Sequence, residues 1–89
     1  MKLKYRFVIR DVAGQFVAVA VGTDNAKFNG MVKLNKTGAF LMELLNTRSY
    51  SREELISAML DRYEVEEACA RENLEEFLQI LREGQLLEE

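Results

Sequence analysis

The decisive stretch is Met31-Val32-Lys33-Leu34-Asn35-Lys36-Thr37-Gly38-Ala39-Phe40-Leu41-Met42-Glu43-Leu44-Leu45, where the hydrophobic period changes. Val32 and Leu34 share one side of an extended run with Lys33 on the other, as in a strand, where successive side chains alternate. Beyond Leu34 the spacing changes to that of a core-facing helix, carried by Phe40, Leu41, Leu44 and Leu45. Asn35 or Thr37 suits the helix start, since either side chain accepts hydrogen bonds from early backbone N–H groups. The stretch is therefore a joint. The residues before it read as strands, and the residues after it read as helices.

Upstream, residues 4–10 (KYRFVIR) alternate, with Tyr5, Phe7 and Ile9 on one face and Lys4, Arg6 and Arg10 on the other. Asp11-Val12-Ala13-Gly14 supplies a turn of about four residues, with Gly14 free to take a positive φ. Residues 15–21 (QFVAVAV) are almost wholly apolar and rich in β-branched side chains, which fits a central strand paired to the first in a hairpin. Residues 22–30 are polar, with Asp24-Asn25 as a turn signal and Phe28 at a possible strand start. Met31–Leu34 is then the third strand of a meander. Its outer edge has no neighbour, which is a hazard unless the edge is blunted or used. Lys33 fits either outcome, as a guard against edge-to-edge pairing or as a contact for a partner.

Downstream, Asn46-Thr47-Arg48-Ser49 ends the first helix. Ser51-Arg52-Glu53-Glu54 has the form of a capping box, in which Ser51 and Glu54 satisfy each other's backbone donors. It opens a second helix with a stripe of Leu55, Ile56, Met59, Leu60 and Tyr63. The third helix runs from about Glu66 to Glu83, with Gly84 expected as the left-handed residue that closes it. Leu86 and Leu87 are placed to fold back over its last turn. At 100° per residue Ala70, Leu74, Phe77, Leu78 and Leu81 form its core stripe. Cys69, Asn73 and Ile80 make a second, narrower strip beside Phe77, which fits a wide core face or the wall of a groove. Strands succeeded by helices, with short connections, define an α+β domain.

A chain of 89 residues is expected to be one domain, residues 1–89, with a modest core and little material for an enclosed active site. Arg10, Asp11 and Gln15 interrupt the apolar run that a signal peptide needs, and no run approaches the ~20 apolar residues of a membrane span. With Cys69 alone, no internal disulfide forms. A cytoplasmic protein without membrane association is expected.

The net charge of −3 conceals a polarity. Residues 1–50 carry a net +5, residues 51–63 a net −1 and residues 64–89 a net −7. The second and third helices resemble a helix–turn–helix, but the third carries Glu66, Glu67, Glu72, Glu75 and Glu76 against Arg71 and Arg82. A helix that approaches phosphates needs the reverse sign, so nucleic acid is not an expected partner. Catalysis is equally poorly supplied. The chain has no His, the commonest general base. Cys69 has no His partner and lies in an acidic helix, which disfavours the thiolate. No glycine-rich phosphate loop is present. No enzymatic activity, metal or cofactor is expected.

The string Leu34-Asn35-Lys36-Thr37-Gly38-Ala39-Phe40, with Leu44-Leu45, Ser51-x-x-Glu54-Leu55, Tyr63-Glu64-Val65 and Phe77-Leu78-x-x-Leu81-x-x-Gly84-x-Leu86, resembles the pyrroloquinoline quinone biosynthesis protein D (PqqD) family. The resemblance spans nearly the whole chain, and its most specific part is the L-N-x-T-G-A-F junction. It implies a winged-helix-like domain, a three-stranded antiparallel sheet followed by three helices, that recognises ribosomally made precursor peptides. Such domains hold the leader segment as an added strand and present the rest to a modifying enzyme, often a radical SAM protein. On that basis the leader pairs with Met31, Val32, Lys33 and Leu34, and Asn73, Phe77, Ile80 and Leu81 of the third helix wall the groove. Lys33 then pairs with an acidic leader residue or remains an edge guard. Two other readings belong to different classes: a regulatory or adaptor module of the same fold, and a winged-helix nucleic-acid binder.

Overall fold

Alternating side chains in the first third of the chain build a meander, and its apolar face needs a cover. The computed structural model, which describes residues 1–21 and 31–88, shows how both are met. The elements are β1 (Lys2–Leu3), β2 (Phe7–Val12), β3 (Gln15–Ala20), β4 (Met31–Leu34), α1 (Lys36–Thr47), α2 (Arg52–Arg62), α3 (Glu67–Glu83) and β5 (Leu87–Glu88). The three-stranded sheet has the order β2-β3-β4, with both pairings antiparallel. The turn signal at Asp24-Asn25 and the strand start considered at Phe28 lie outside the described residues.

The first hairpin is tighter than its sequence suggests. Strand β2 runs from Phe7 to Val12, not from Lys4 to Arg10, and only Ala13 and Gly14 connect it to β3. Both take positive φ, 53° and 83°, as in a two-residue turn whose twist matches that of the flanking strands. The Asp11 carboxylate accepts a hydrogen bond from the Gly14 N–H at 3.1 Å, which holds the turn.

On the inner face of the sheet, Phe7, Ala18, Ala20, Val32 and Leu34 are buried. Ala18 and Ala20 leave room for α1 to lie across the strands, where it packs on β2, β3 and β4 and buries Ala39, Leu41, Met42 and Leu45. One core cluster joins these residues to Leu55, Ile56 and Met59 of α2 and to Ala70, Leu74, Phe77, Leu78 and Leu81 of α3. Burying each such side chain contributes about 1.5–3 kcal/mol, offset by the conformational entropy lost on folding. The α3 stripe matches the sequence expectation throughout. In α1 Leu41 and Met42 are fully buried, the latter not expected from the stripe, while Phe40 and Leu44 are only partly covered.

The caps resolve as hydrogen-bond geometry. Asn35 caps α1, its Oδ1 accepting from the Gly38 N–H at 2.7 Å. Gly38 sits tightly: a Cβ there would lie 3.2 Å from that same Oδ1 and 3.3 Å from Leu34 Cδ2, so the neighbours would have to shift to admit one. The capping box of α2 is complete, with Glu54 N–H donating to Ser51 Oγ and Ser51 N–H donating to Glu54 Oε1. At the end of α3 the expectation fails by one residue. Gly84 stays right-handed at φ −83°, and Gln85 takes the left-handed position at φ 57°. The Gln85 N–H donates to the Arg82 carbonyl and the Leu86 N–H to the Leu81 carbonyl, the paired bonds of a Schellman end. Leu86 folds back and is 1% exposed. It comes so close that a Cβ at position 84 would lie 3.2 Å from its Cγ and Cδ1, so packing is what position 84 asks of glycine.

A second small sheet was not evident from pattern. β1 and β5 pair antiparallel, Lys2 opposite Glu88 and Leu3 opposite Leu87. The Met1 ammonium donates to the Tyr50 carbonyl at 2.9 Å, and the Tyr50 N–H returns a bond to the Met1 carbonyl at 3.0 Å. Both ends of the chain are thereby fastened to the helical half.

Candidate functional site

In an antiparallel sheet the N–H and C=O of one residue point to the same side, and successive residues alternate sides. Asn46 reveals the phase. Its side chain accepts from the Phe7 N–H at 3.2 Å and donates to the Phe7 carbonyl at 2.8 Å, so both Phe7 groups point away from β3. Phe7 lies opposite Ala20. Carried along the register, Val8, Arg10 and Val12 turn their backbones toward β3, and Val19, Val17 and Gln15 answer them. Phe16 and Ala18 therefore turn theirs toward β4, where they lie opposite Leu34 and Val32. The remaining β4 backbones, those of Met31 and Lys33, face outward. Among the described residues no strand pairs with that edge.

The two edges of the sheet are thus treated differently. On β2 a side-chain amide from α1 occupies the outward groups of Phe7 and imitates a strand. On β4 the outward groups of Met31 and Lys33 have no such partner among the described residues. Their side chains are also exposed, Met31 to 66%, whereas Val32 and Leu34 point into the core at 6% and 8%.

Beside this edge, between the β4–α1 junction and α3, lies a small cleft of about 60 Å³ lined by Leu34, Asn35, Gly38, Asn73, Glu76, Phe77 and Ile80. It has the size of a few methyl groups, enough for the end of one side chain and not for a cofactor. Ile80 is 41% exposed, a large apolar group with no cover. Asn73 is half-buried, and its amide donates to Cys69 Sγ at 3.7 Å. Phe77 is buried and contributes only the floor.

Of the residues named from sequence, the structure brings Leu34, Asn73, Phe77 and Ile80 together at one cleft, with Met31 and Lys33 on the strand beside it. Leu81 does not belong there. It has no exposed surface and sits wholly in the core, because it falls on the same stripe as Leu74 and Leu78. Val32 offers neither side chain nor backbone to the outside. Asn35, Gly38 and Glu76 are the lining residues that the sequence pattern did not single out for the groove. At 100° per residue Glu76 falls about 60° from Asn73 and about 40° from Ile80, so helical periodicity carried a signal that its charge obscured.

The charges of α3 divide by side. Toward α2, Arg71 bonds both carboxylate oxygens of Glu53 at 3.1 and 3.0 Å and also Glu67 at 3.1 Å, and Arg52 bonds Glu75. The hydrogen bond from Arg71, with its charge adding to it, holds the Glu53 carboxyl below its usual range, and the two glutamates raise Arg71 in turn. Glu54 is likewise lowered, first by the Ser51 backbone N–H of the capping box and then by Arg48. On the cleft side Glu76 has no such partner among the described residues.

Two larger clefts lie elsewhere. One of about 580 Å³ is lined by residues 3–6 and 45–47. Another of about 330 Å³ lies between the first hairpin and the helices, where Phe40 meets Tyr63 edge to face at 5.6 Å. Neither is lined by a β4 residue. Among the described residues no group of carboxylates and Cys is arranged to hold a metal ion, and no helix is long and apolar enough to cross a membrane.

An α+β fold with one open strand edge and an adjoining helix invites comparison with known proteins. The family model for coenzyme PQQ synthesis protein D (PqqD) matches residues 11–87. The chain belongs to the PqqD family. Its fold is also that of TbiB1, solved in complex with the TbiA(beta) leader peptide. The two share a TM-score of 0.70 at 24% identity, over 99% of this chain and 95% of that one. No curated protein matches the chain. The match to the family model begins at Asp11, so it takes in the L-N-x-T-G-A-F junction, the open strand and all of α3. The PqqD architecture therefore includes every residue of the cleft.

Proposed function

We propose that this PqqD-family chain captures the leader segment of a ribosomally made precursor peptide as an added strand on β4 and presents the remainder to a modifying enzyme, such as a radical SAM protein. The observation that carries the reading is the outward-facing backbone of Met31 and Lys33 beside the α3 cleft. An extended peptide laid along that edge gains backbone hydrogen bonds on one side and a side-chain contact with Leu34, Asn73 and Ile80 on the other, the two components of strand addition. The fold likeness to TbiB1, whose structure holds a leader peptide, supports the same reading.

Magnitudes favour a shared load. Two outward residues offer two donors and two acceptors, and each hydrogen bond contributes about 0.5–1.5 kcal/mol net. Micromolar to submicromolar binding requires about 8–9 kcal/mol, so the backbone supplies the register and apolar contact at the cleft supplies much of the affinity. In this role the chain holds and positions its substrate, and the bond-making belongs to the enzyme that receives it. The work belongs in the cytoplasm, where a ribosomal product is met before export.

Titration of the ¹⁵N-labelled chain with synthetic peptides copied from the short open reading frames found next to its gene tests the proposal. Amide shifts confined to residues 31–34 and 69–81, with Met31 and Lys33 among the largest, are expected. Failure to bind, or shifts centred on residues 9–16 and 36–43, would overturn it.

A further inference from the structure

The cleft is not electrically neutral. Resting on the strand-addition reading, we infer that Glu76 selects a basic residue in the bound peptide, set two positions from the apolar residue that packs on Ile80 and Leu34. Three observations lead there. Glu76 lines the cleft together with Asn73, Phe77 and Ile80. The carboxylates on the α2 side of this helix, Glu67 and Glu75, are engaged by Arg71 and Arg52, whereas Glu76 bonds no cation among the described residues. Among the described residues no Lys or Arg lines the cleft, so a basic side chain of the peptide would meet this carboxylate with no competing cation there.

The pleat determines which peptide residues are concerned. A strand added to β4 continues its alternation, so residues opposite Val32 and Leu34 turn toward α3 and those between them turn outward, toward the Met31 and Lys33 side chains. Inward residues recur every ~6.6 Å along such a strand. Ile80 lies one turn beyond Glu76, a rise of about 6 Å. For a peptide laid along α3 the two spacings match. A peptide with an apolar side chain at Ile80 brings its next inward side chain to Glu76, and Lys or Arg answers the carboxylate there. An Asp or Glu at that position meets a like charge on the exposed Glu76, a repulsion that salt weakens. Outward positions see Lys33 and carry the opposite preference.

Selection of a phage-displayed library of random dodecapeptides against the full-length chain, and in parallel against Glu76→Gln, tests the inference. Expected winners carry an apolar residue with Lys or Arg two positions away, and the basic preference disappears against Glu76→Gln while the apolar one remains. For one winning peptide, replacing the basic residue by Ala weakens binding three- to tenfold on the native chain, less at high salt, and leaves binding to Glu76→Gln nearly unchanged. Winners that shift Met31 and Lys33 amides but show no basic preference, or a preference that survives Glu76→Gln, would overturn the role of Glu76 and leave strand addition standing. No winners at all, or winners whose shifts lie away from β4 and α3, would overturn both.

Discussion

At the scale of single residues, position 32 and position 33 differ in what their backbones do. Val32 turns its N–H toward β3 and its side chain into the core, 6% exposed, while Lys33 turns both outward. Proline removes the N–H, so its effect reads the direction directly. Val32→Pro is expected to lower stability by on the order of 3 kcal/mol, seen as an early midpoint in urea unfolding. Lys33→Pro is expected to keep most of the native stability and to lose peptide binding by fluorescence anisotropy. Lys33→Ala, which keeps the N–H, separates the backbone from the charge. If Val32→Pro folds normally and Lys33→Pro does not, the assigned phase of the sheet is wrong. At this scale the sequence was partly legible. Alternation announced that Val32 is buried and Lys33 is not, but it says nothing of which strand each backbone addresses. The same limit appears at Gln85, whose left-handed φ of 57° falls where glycine was expected one residue earlier, because the close approach of Leu86 claims position 84.

At the scale of elements, α2 and α3 are joined by an apolar seam and an exposed row of ion pairs. Arg71 spans the two helices, bonding Glu53 on α2 and Glu67 on its own helix. Because Glu53 titrates lower when folded than its ordinary value of 4.5, its pairing favours the folded state above that pH. That contribution fades as the pH falls through the folded value. Glu54, lowered by its capping-box bond, behaves in the same sense. Unfolding midpoints in urea are therefore expected to drop between about pH 5 and pH 3, and the drop should be shallower in Arg71→Met, with the two proteins converging at the acid end. Both groups are exposed, so added salt reduces the difference. Parallel pH profiles for the two proteins would show that the pair contributes nothing to stability. The capping box was legible from four residues because all its bonds are local. Arg71 meeting Glu53 was not, since it depends on how two helices are rotated against each other.

At the scale of the whole molecule, the two sheet edges differ at one point: Asn46 covers the outward groups of Phe7 on β2, whereas no side chain does so for Met31 or Lys33 on β4 among the described residues. Asn46, at the far end of α1, reaches Phe7 across the chain and covers the first outward position of β2. Asn46→Ala is expected to cost about 1–3 kcal/mol, since it removes two hydrogen bonds from the backbone of a residue whose own burial is nearly complete. It also exposes a second strand edge, so light scattering should report association at concentrations where the native chain stays dispersed. A variant of unchanged stability and size would show that the amide closes nothing.

The order of strands and helices, the core face of α3 and two helix caps came from residue order, because burial repeats with the period of each element and caps need only three or four neighbours. So did the candidate groove in outline, through Asn73 and Ile80 beside Phe77. The folded arrangement was needed for the rest: the pairing of β1 with β5, the clamp of Asn46 on Phe7 and the entry of Glu76 into the cleft. These depend on the relative rotation and register of segments distant in the chain. Which β4 backbones face outward follows from the pairing of β3 with β4, Phe16 opposite Leu34 and Ala18 opposite Val32. Period is a local property of the chain, whereas hydrogen-bond direction belongs to pairs of segments, and the open edge of β4 is a matter of direction.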